Sequence, residues 1–530
     1  MKKIQSNHIG SCPLHYLNRR RFIVGCAALS GCLINELNNE LIAGQHQPKK
    51  KIRTIYSLHA LKQQGPDWPN KGFNFEPVIE KTSRELKQHF KQYDFLVSTA
   101  SGPEQADKII QDDANQNIDG YIVFQLNCWN RVVQSAAKTN KPVLYVDFKY
   151  GGSGGFLTYT ASFIRQFSKT DGSNYTSKNI GFISSSRMSD LIEAVKCFDK
   201  IQSPEDAEHF SEFVAEVRIK STPRPGKMTF KPDNLQTIAL KDWIAQLKRS
   251  RILAIRGTQS GYAGEMMGIP VFHVSFAELN DEYQKANKEE ARLIAADWEL
   301  NAAKVEGVNW ETLVQSAAMY LAQKSLMNKY DANAITINCL GGFYGGHIHA
   351  YPCLGFHQLL NEGLVGGCEC DVRSTAVLLA FSILTKGRPG FISDPVLDSS
   401  KRQIIYAHCV AHNRPFGPKE SRCPYQILTH SEDRQGASVR SIFPDGYLVT
   451  TLQIEPGRKQ ILIHQAKAVG NDPDDRACRT KLVAEPIGDY EKLFTMWDQW
   501  GWHRVTFYGD LKPHVQEIAK LIGWTVIEET

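Results

Sequence analysis

Glu369, Asp394, His408 and His503 are the side chains of this sequence best suited to chemistry. Carboxylate and imidazole are the groups of general acid–base catalysis and of hard-to-borderline metal ligation. Glu369 ends the short apolar run Leu364–Cys368, just before Asp371, a good N-cap for the amphipathic run Val372–Lys386. Gly387 suits the position after a helix, and Pro389 prevents its continuation. Gly390–Ser393 reads as a strand delivering Asp394 at its carboxyl end, with Pro395 closing it. Gln403–Ala407 reads as a strand ending in His408. In parallel α/β sheets that edge is where ligands and catalytic groups gather. One such carboxylate alone is better read as a local cap or ion pair; three polar groups in succession indicate a site. His503, beside Trp502, is on its own residues either a structural histidine or a ligand.

The elements that must position these groups follow from hydrophobic periodicity. Ile52–Leu58 reads as a strand, Phe75–Gln92 as a helix, Phe95–Thr99 as a strand and Glu104–Ala114 as a helix. Asp119–Leu126, Trp129–Ala137 and Pro142–Phe148 continue as strand, helix and strand, a βαβα rhythm that implies a parallel, doubly wound sheet. Gly151-Gly-Ser-Gly-Gly155 lacks the order of a dinucleotide or phosphate-binding loop and reads as a flexible loop beside a site. A second α/β unit is expected to open at Asn179-Ile-Gly-Phe-Ile and to include strands at Ala215–Lys220, Arg251–Arg256 and Pro270–Ser275. Phe276 to Lys329 is largely helical, Asp331–Leu340 a strand and Pro352–Asn361 a helix. From Pro395 onward, short β-rich runs at 403–407, 438–443, 447–453, 460–466, 481–484 and 504–508 alternate with Pro, Gly and Asp turns, as in a barrel or sandwich. The expected division is 1–50 export signal and tether, 51–178 first α/β domain, 179–394 central α/β domain, and 395–530 β-rich domain.

Charge is concentrated at the start. Of 62 Lys and Arg and 56 Asp and Glu, residues 1–53 hold nine and two, so the remainder carries 53 against 54 and offers no nucleic-acid surface. Asn18-Arg-Arg-Arg-Phe-Ile-Val24 resembles a twin-arginine export signal, and its apolar run Phe22–Ile34 is too short to span a bilayer. Leu29-Ser-Gly-Cys32 resembles a lipobox that would acylate Cys32. The expectation is export through the twin-arginine translocase to the periplasm, with any membrane attachment through a lipid anchor. Nine cysteines remain beyond residue 50, an odd number in a large chain, so they read as buried small hydrophobes and not as a disulfide framework.

Asp331-Ala-Asn-Ala-Ile-Thr-Ile-Asn-Cys-Leu340, Pro352-Cys-Leu, Leu360-Asn-Glu-Gly-Leu364, Cys368-Glu-Cys-Asp371, Ser393-Asp-Pro395, His408-Cys409, Cys478-Arg-Thr-Lys481 and His503-Arg-Val-Thr-Phe-Tyr-Gly-Asp510 form an ordered set. This set resembles the L-fucose/L-arabinose isomerase superfamily over most of residues 50–530. The resemblance implies two flavodoxin- or Rossmann-like layers, a barrel-like C-terminal domain, a ring-like homo-oligomer, and aldose–ketose interconversion of a small-molecule sugar. It implies a divalent metal, manganese first, with magnesium or cobalt as alternatives. Glu369 and Asp394 match the carboxylates that bind metal and move the proton; His503 matches the late histidine ligand, and His408 a ligand of the arabinose branch. Arg479, Asn127 and Trp129 are expected at the sugar, although the core is the simpler place for Trp129. The export signal departs from the family, and Asp371 and Arg373 add charge beside Glu369. A non-catalytic, exported sugar-binding lipoprotein on the same fold is the competing expectation.

Overall fold

The computed structural model describes residues 49–166 and 177–530; the arginine-rich start and Cys32 lie outside them. Strands β1 (Lys50–Ser57), β2 (Tyr93–Ala100), β3 (Gly120–Gln125), β4 (Val143–Asp147) and β5 (Ile180–Ile183) form an all-parallel sheet in the order β2-β1-β3-β4-β5. Every residue of β3 and β4 is buried. A parallel sheet covered on both faces requires such continuous apolar runs. Ile122, Phe124, Leu144 and Val146 pack under the helices Glu76–His89, Met188–Val195 and Phe210–Ser221. Tyr121, Val123, Val143 and Tyr145 pack under Val132–Ala137 and Ser153–Gln166.

The second sheet is built from β6 (Ile252–Ile255), β7 (Gly261–Met266) and β8 (Ile269–Val274), joined after the short β9 (Lys304–Glu306) by β10 (Ala334–Ile337) and β11 (Val365–Gly367). Its order is β11-β10-β6-β8-β7, with only the edge strand β7 antiparallel. The C-terminal region contributes β12 (Phe391–Asp398), β13 (Gln403–His408), β14 (Tyr425–Leu428), β15 (Ser438–Ser441), β16 (Leu448–Glu455), β17 (Gln460–Asn471), β18 (Thr480–Pro486), β19 (Arg504–Tyr508) and β20 (Thr525–Glu528). Six of these close an antiparallel barrel in the order β16-β19-β12-β13-β18-β17, sealed by the β16–β17 ladder. Closure removes the exposed edges that such a sheet would otherwise present. One apolar core runs from the first sheet through the second into the barrel.

Four elements differ from the sequence expectation. Residues 179–183 give the last strand of the first sheet, β5, paired with β4. Ala215–Lys220 is not a strand but part of the helix Phe210–Ser221, which buries Phe210, Val214 and Arg218 at helical spacing. The glycine-rich segment at 151–155 runs into the helix Ser153–Gln166. β15 leaves the barrel to pair with β14, which joins β9 in a separate three-stranded sheet. No helix among the described residues is long and apolar enough to cross a membrane.

Candidate metal centre

Barrel register gathers three of the four groups. Ser393 of β12 lies opposite Arg504 of β19, and Asp394 lies opposite Ala407 of β13. His503 and His408, one residue beyond those partners, therefore flank Asp394 from the two neighbouring strands. Asp394 itself is in the middle of a barrel strand, because β12 continues through Pro395 to Asp398. The proline is tolerated where the β19 ladder has already ended at Ser393.

Glu369 comes from the second sheet, at the carboxyl edge of β11. It and Cys370 both adopt left-handed backbone conformations, with φ of +58° and +53°. Two non-glycine residues in that region store strain of order 1–3 kcal/mol each, which persists only where surrounding structure holds it. Here Cys370 N–H donates to Ile337 O at 2.9 Å and Asp371 N–H to Cys368 O at 3.2 Å. Asp371 caps the helix Val372–Leu384, accepting from the Ser374 amide at 2.9 Å and the Ser374 hydroxyl at 2.6 Å. The Oδ2 atom of Asp371 also meets Nδ1 of His503 at 2.9 Å. Gln453 ties the two together, donating to Ser374 Oγ at 2.9 Å and to His503 O at 3.0 Å.

Glu369, Asp394, His408 and His503 each present one ligand-type atom, all within 4.8 Å of one another. His503 Nε2 stands 3.2 Å from Asp394 and 3.5 Å from Glu369, yet it makes no hydrogen bond. His408 Nε2 is likewise buried and orphaned. Two unsatisfied imidazole nitrogens aimed among two carboxylates fit a divalent cation, because a buried polar atom otherwise finds a partner. Oxygen and imidazole donors suit Mn²⁺, Mg²⁺ or Co²⁺ better than a thiolate-seeking metal. Asp371 behind His503 is the carboxylate that orients such a ligand. His408 has no equivalent carboxylate; its Nδ1 accepts the Cys409 amide at 3.0 Å, with the Cys478 sulfur at 3.9 Å.

Electrostatics agree with a site built for added positive charge. Burial pushes the Glu369 carboxyl well above its ordinary range, against the pull of His503 and with the push of Asp394. Burial works against charging His503, but Asp394 and the Asp371 hydrogen bond outweigh it and raise the imidazole well above its ordinary value. Asp371 is held below the usual carboxylate range, since its bonds to His503 and Ser374 outweigh its burial. Burial, with Asp394 among the like charges, lifts Glu432 to about 8. A cation held by such carboxylates and imidazoles would take the place of their protons.

An aromatic wall borders the cluster. Trp502 lies 5.4 Å from the His503 ring, and Trp129 packs edge-on against Trp502 at 5.4 Å and Tyr159 at 5.9 Å. Trp129 is 43% exposed and Trp502 42%, so neither is the core residue that Trp129 was expected to be. Asn127 and Arg479 are not at the surface of this cleft. Asn127 is fully buried and spends its amide on Gln63 and Trp68 and its oxygen on the His59 amide. Arg479 is buried, with its guanidinium clamped by Thr429 and Asp475. Two cavities, of about 780 Å³ beside Lys149 and Arg187 and about 730 Å³ beside Trp298 and Tyr320, share no residue with the cluster.

No family model matches the chain. Two curated proteins resemble part of it, each named sulfoquinovose isomerase, from Priestia aryabhattai and Priestia megaterium. Each is 25% identical over 137 residues, which is 24% of this chain and 30% of the relative. The match therefore spans less than a third of the length of those relatives.

Proposed function

We propose that the protein is a sugar isomerase that interconverts an aldose and a ketose by moving a proton between C1 and C2. The observation that carries this is the convergence of Glu369, Asp394, His408 and His503 within 4.8 Å, and the names of the partial relatives support it. The finer type is that of the L-fucose/L-arabinose isomerases, with manganese the first candidate metal. Glu369, Asp394, His408 and His503 would hold the cation, whose chemistry is Lewis-acid stabilisation of the charge that develops on the sugar oxygens. A C–H next to a carbonyl is a weak acid, so a carboxylate base succeeds only where that charge is stabilised. Of Glu369 and Asp394, one removes the C2 proton and returns it to C1 while the other moves the hydroxyl proton. Asp371 fixes the ring of His503, and the strained turn at 369–370 holds Glu369 toward Asp394. The Trp129–Trp502 wall offers an apolar face for a sugar ring and limits water at the cleft. Export by the twin-arginine route, acylation at Cys32 and a homo-oligomeric assembly complete the proposal.

The test is C1/C2 deuterium exchange in D₂O, followed by NMR, with Mn²⁺-loaded protein and a panel containing L-fucose, L-arabinose and sulfoquinovose. Exchange into one aldose–ketose pair, abolished by chelation and by Glu369→Gln or Asp394→Asn, is the expected outcome. Sugar binding without exchange, unchanged in both variants, refutes the enzyme and supports the sugar-binding lipoprotein.

A further inference from the structure

Directly before Glu369 the chain carries one half of a thiol pair that neither ligation nor proton transfer uses. Cys339 Sγ and Cys368 Sγ lie 3.4 Å apart, both as free thiols, and each residue is 4% exposed. Cys368 follows β11, and Cys339 opens the helix Cys339–Tyr344 that follows β10. Parallel register brings them together. Thr336 of β10 pairs with Gly367 of β11, so the two exits, 337–339 and 368–370, run side by side. The Cys370 amide donates to Ile337 O at 2.9 Å across that seam.

One buried cysteine reads as a small hydrophobe. Two sulfurs in contact at the root of a strained turn are also a dithiol. A disulfide holds its sulfurs about 2.05 Å apart, so joining this pair closes the gap by about 1.3 Å. Cys368 is poorly placed to absorb that movement upstream. A Cβ on Gly367 would collide with Thr375 and crowd Thr336, so the chain there is tightly enclosed. The Cys368 carbonyl accepts the Asp371 amide at 3.2 Å and the Thr336 hydroxyl at 3.4 Å. Glu369, next in the chain and held in a left-handed conformation, is where the displacement is passed on.

We propose that Cys339 and Cys368 are a redox modification site: a small hydroperoxide joins them as a disulfide that draws Glu369 away from Asp394. This rests on the cation proposed above at Glu369. The thiolate of one cysteine attacks a peroxide oxygen, the O–O bond breaks, and the departing hydroxide takes the proton that the thiol released. The second thiol attacks the resulting sulfenic sulfur, the S–S bond forms, and the hydroxide that leaves takes that thiol's proton. With hydrogen peroxide, the two thiols lose two electrons, the peroxide gains them, and two waters form. A folded disulfide-exchange protein cannot seat on sulfurs that are 4% exposed. Hydrogen peroxide is little larger than water, and the neighbouring Glu369 carboxylate is 21% exposed to the cleft.

The experiment treats the reduced full-length protein with a few equivalents of hydrogen peroxide, removes the excess, and maps disulfides by mass spectrometry of non-reduced digests. The expected product is a peptide pair linked through Cys339 and Cys368 and short of two hydrogens. Mn²⁺ affinity by calorimetry is expected to fall at least tenfold. C1/C2 deuterium exchange should fall about 10²-fold, the scale of an ångström's misplacement at a site. Dithiothreitol should restore both. Cys339→Ser and Cys339→Ala are each expected to bind Mn²⁺ like wild type before peroxide and to keep that affinity after it, with the melting temperature checking that the variant is folded. Recovery of Cys339 and Cys368 unlinked overturns the proposal, and so does a linked pair whose Mn²⁺ affinity stays within twofold. A loss of affinity that both Cys339 variants share also overturns it, since another residue is then the one oxidised. Linkage that weakens Mn²⁺ binding in a protein that exchanges deuterium into no sugar sustains the redox site and sinks the isomerase instead. Reduced protein that binds no Mn²⁺ overturns the metal centre and this proposal with it.

Discussion

Replacing Asp371 by Asn separates two duties that one carboxylate performs. The first is structural: Asp371 caps the helix Val372–Leu384 through Ser374. Asn and Asp rank equally as N-caps, so Asp371→Asn should cost the helix only a few tenths of a kcal/mol. The second duty is at Nδ1 of His503, 2.9 Å away. Asn has one oxygen, and with that oxygen kept at the Ser374 amide its NH₂ faces His503, so a bond worth about 1.5–3 kcal/mol is lost. That loss corresponds to roughly ten- to 150-fold in an equilibrium constant and overlaps the 10–100-fold typical of carboxylates behind a ligating histidine.

The expected result is Mn²⁺ binding weakened about 10–100-fold by calorimetry, with a nearly unchanged melting temperature for the metal-free protein. Asp371→Ser sharpens the comparison, since serine caps a helix but cannot span to His503. It should match Asn in stability and bind Mn²⁺ at least as poorly. Metal affinity within twofold of wild type in both variants would refute the role given to Asp371 and weaken His503 as a ligand.

The barrel beneath His503 makes a pH prediction. Burial opposes the charge of Glu529, but the adjacent Arg504 and the His464 hydrogen bond outweigh it and hold the carboxyl at about 2 against an ordinary 4.5. The folded pKa is depressed, so this stability is complete above about pH 4.5 and is lost as pH falls through about 2. Glu529→Gln should remove that acid limb and cost about 3–5 kcal/mol at neutral pH in denaturant titration, because it leaves the fully buried Arg504 unpaired. Arg479→Ala should lower stability by about 1.5–3 kcal/mol without changing kcat/KM of the folded fraction, as a structural clamp requires. Trp129→Ala should do the reverse, lowering kcat/KM about fivefold for the loss of about 1 kcal/mol of ring contact and leaving the melting temperature close to wild type.

The alternating elements of residues 50–148 were readable because buried parallel strands are continuous apolar runs, and β3 and β4 have no exposed residue. The helix at 210–221 was misread because Ala-Glu-Val-Arg-Ile-Lys alternates like a strand. Its true inner face is Phe210, Val214 and Arg218, visible only once an arginine is allowed inside, where Arg218 stacks on Phe182 at 3.9 Å and pairs with Glu491. The flexible loop expected at 151–155 failed for another reason: Gly152 and Gly155 are small because the backbone at Asn127 and Trp129 lies within 3 Å of any added Cβ.

Glu369 was legible for the right reason, as the residue beyond a parallel strand and before a capped helix; its left-handed backbone was not, since no glycine marks it. Asp394 was singled out from a premise that holds only for Glu369. It lies within an antiparallel barrel, where the carboxyl-edge rule has no force, and it joins the cluster through register: His503 falls opposite it one residue before β19, and His408 stands one residue past its partner on β13. The β12–β19 pairing that brings His503 in joins segments about 110 residues apart, which no local pattern encodes. A cleft assembled from the edge of one sheet, the end of another and three strands of a barrel takes its chemistry from residue types that sequence displays. Its geometry comes from pairings that only the fold supplies.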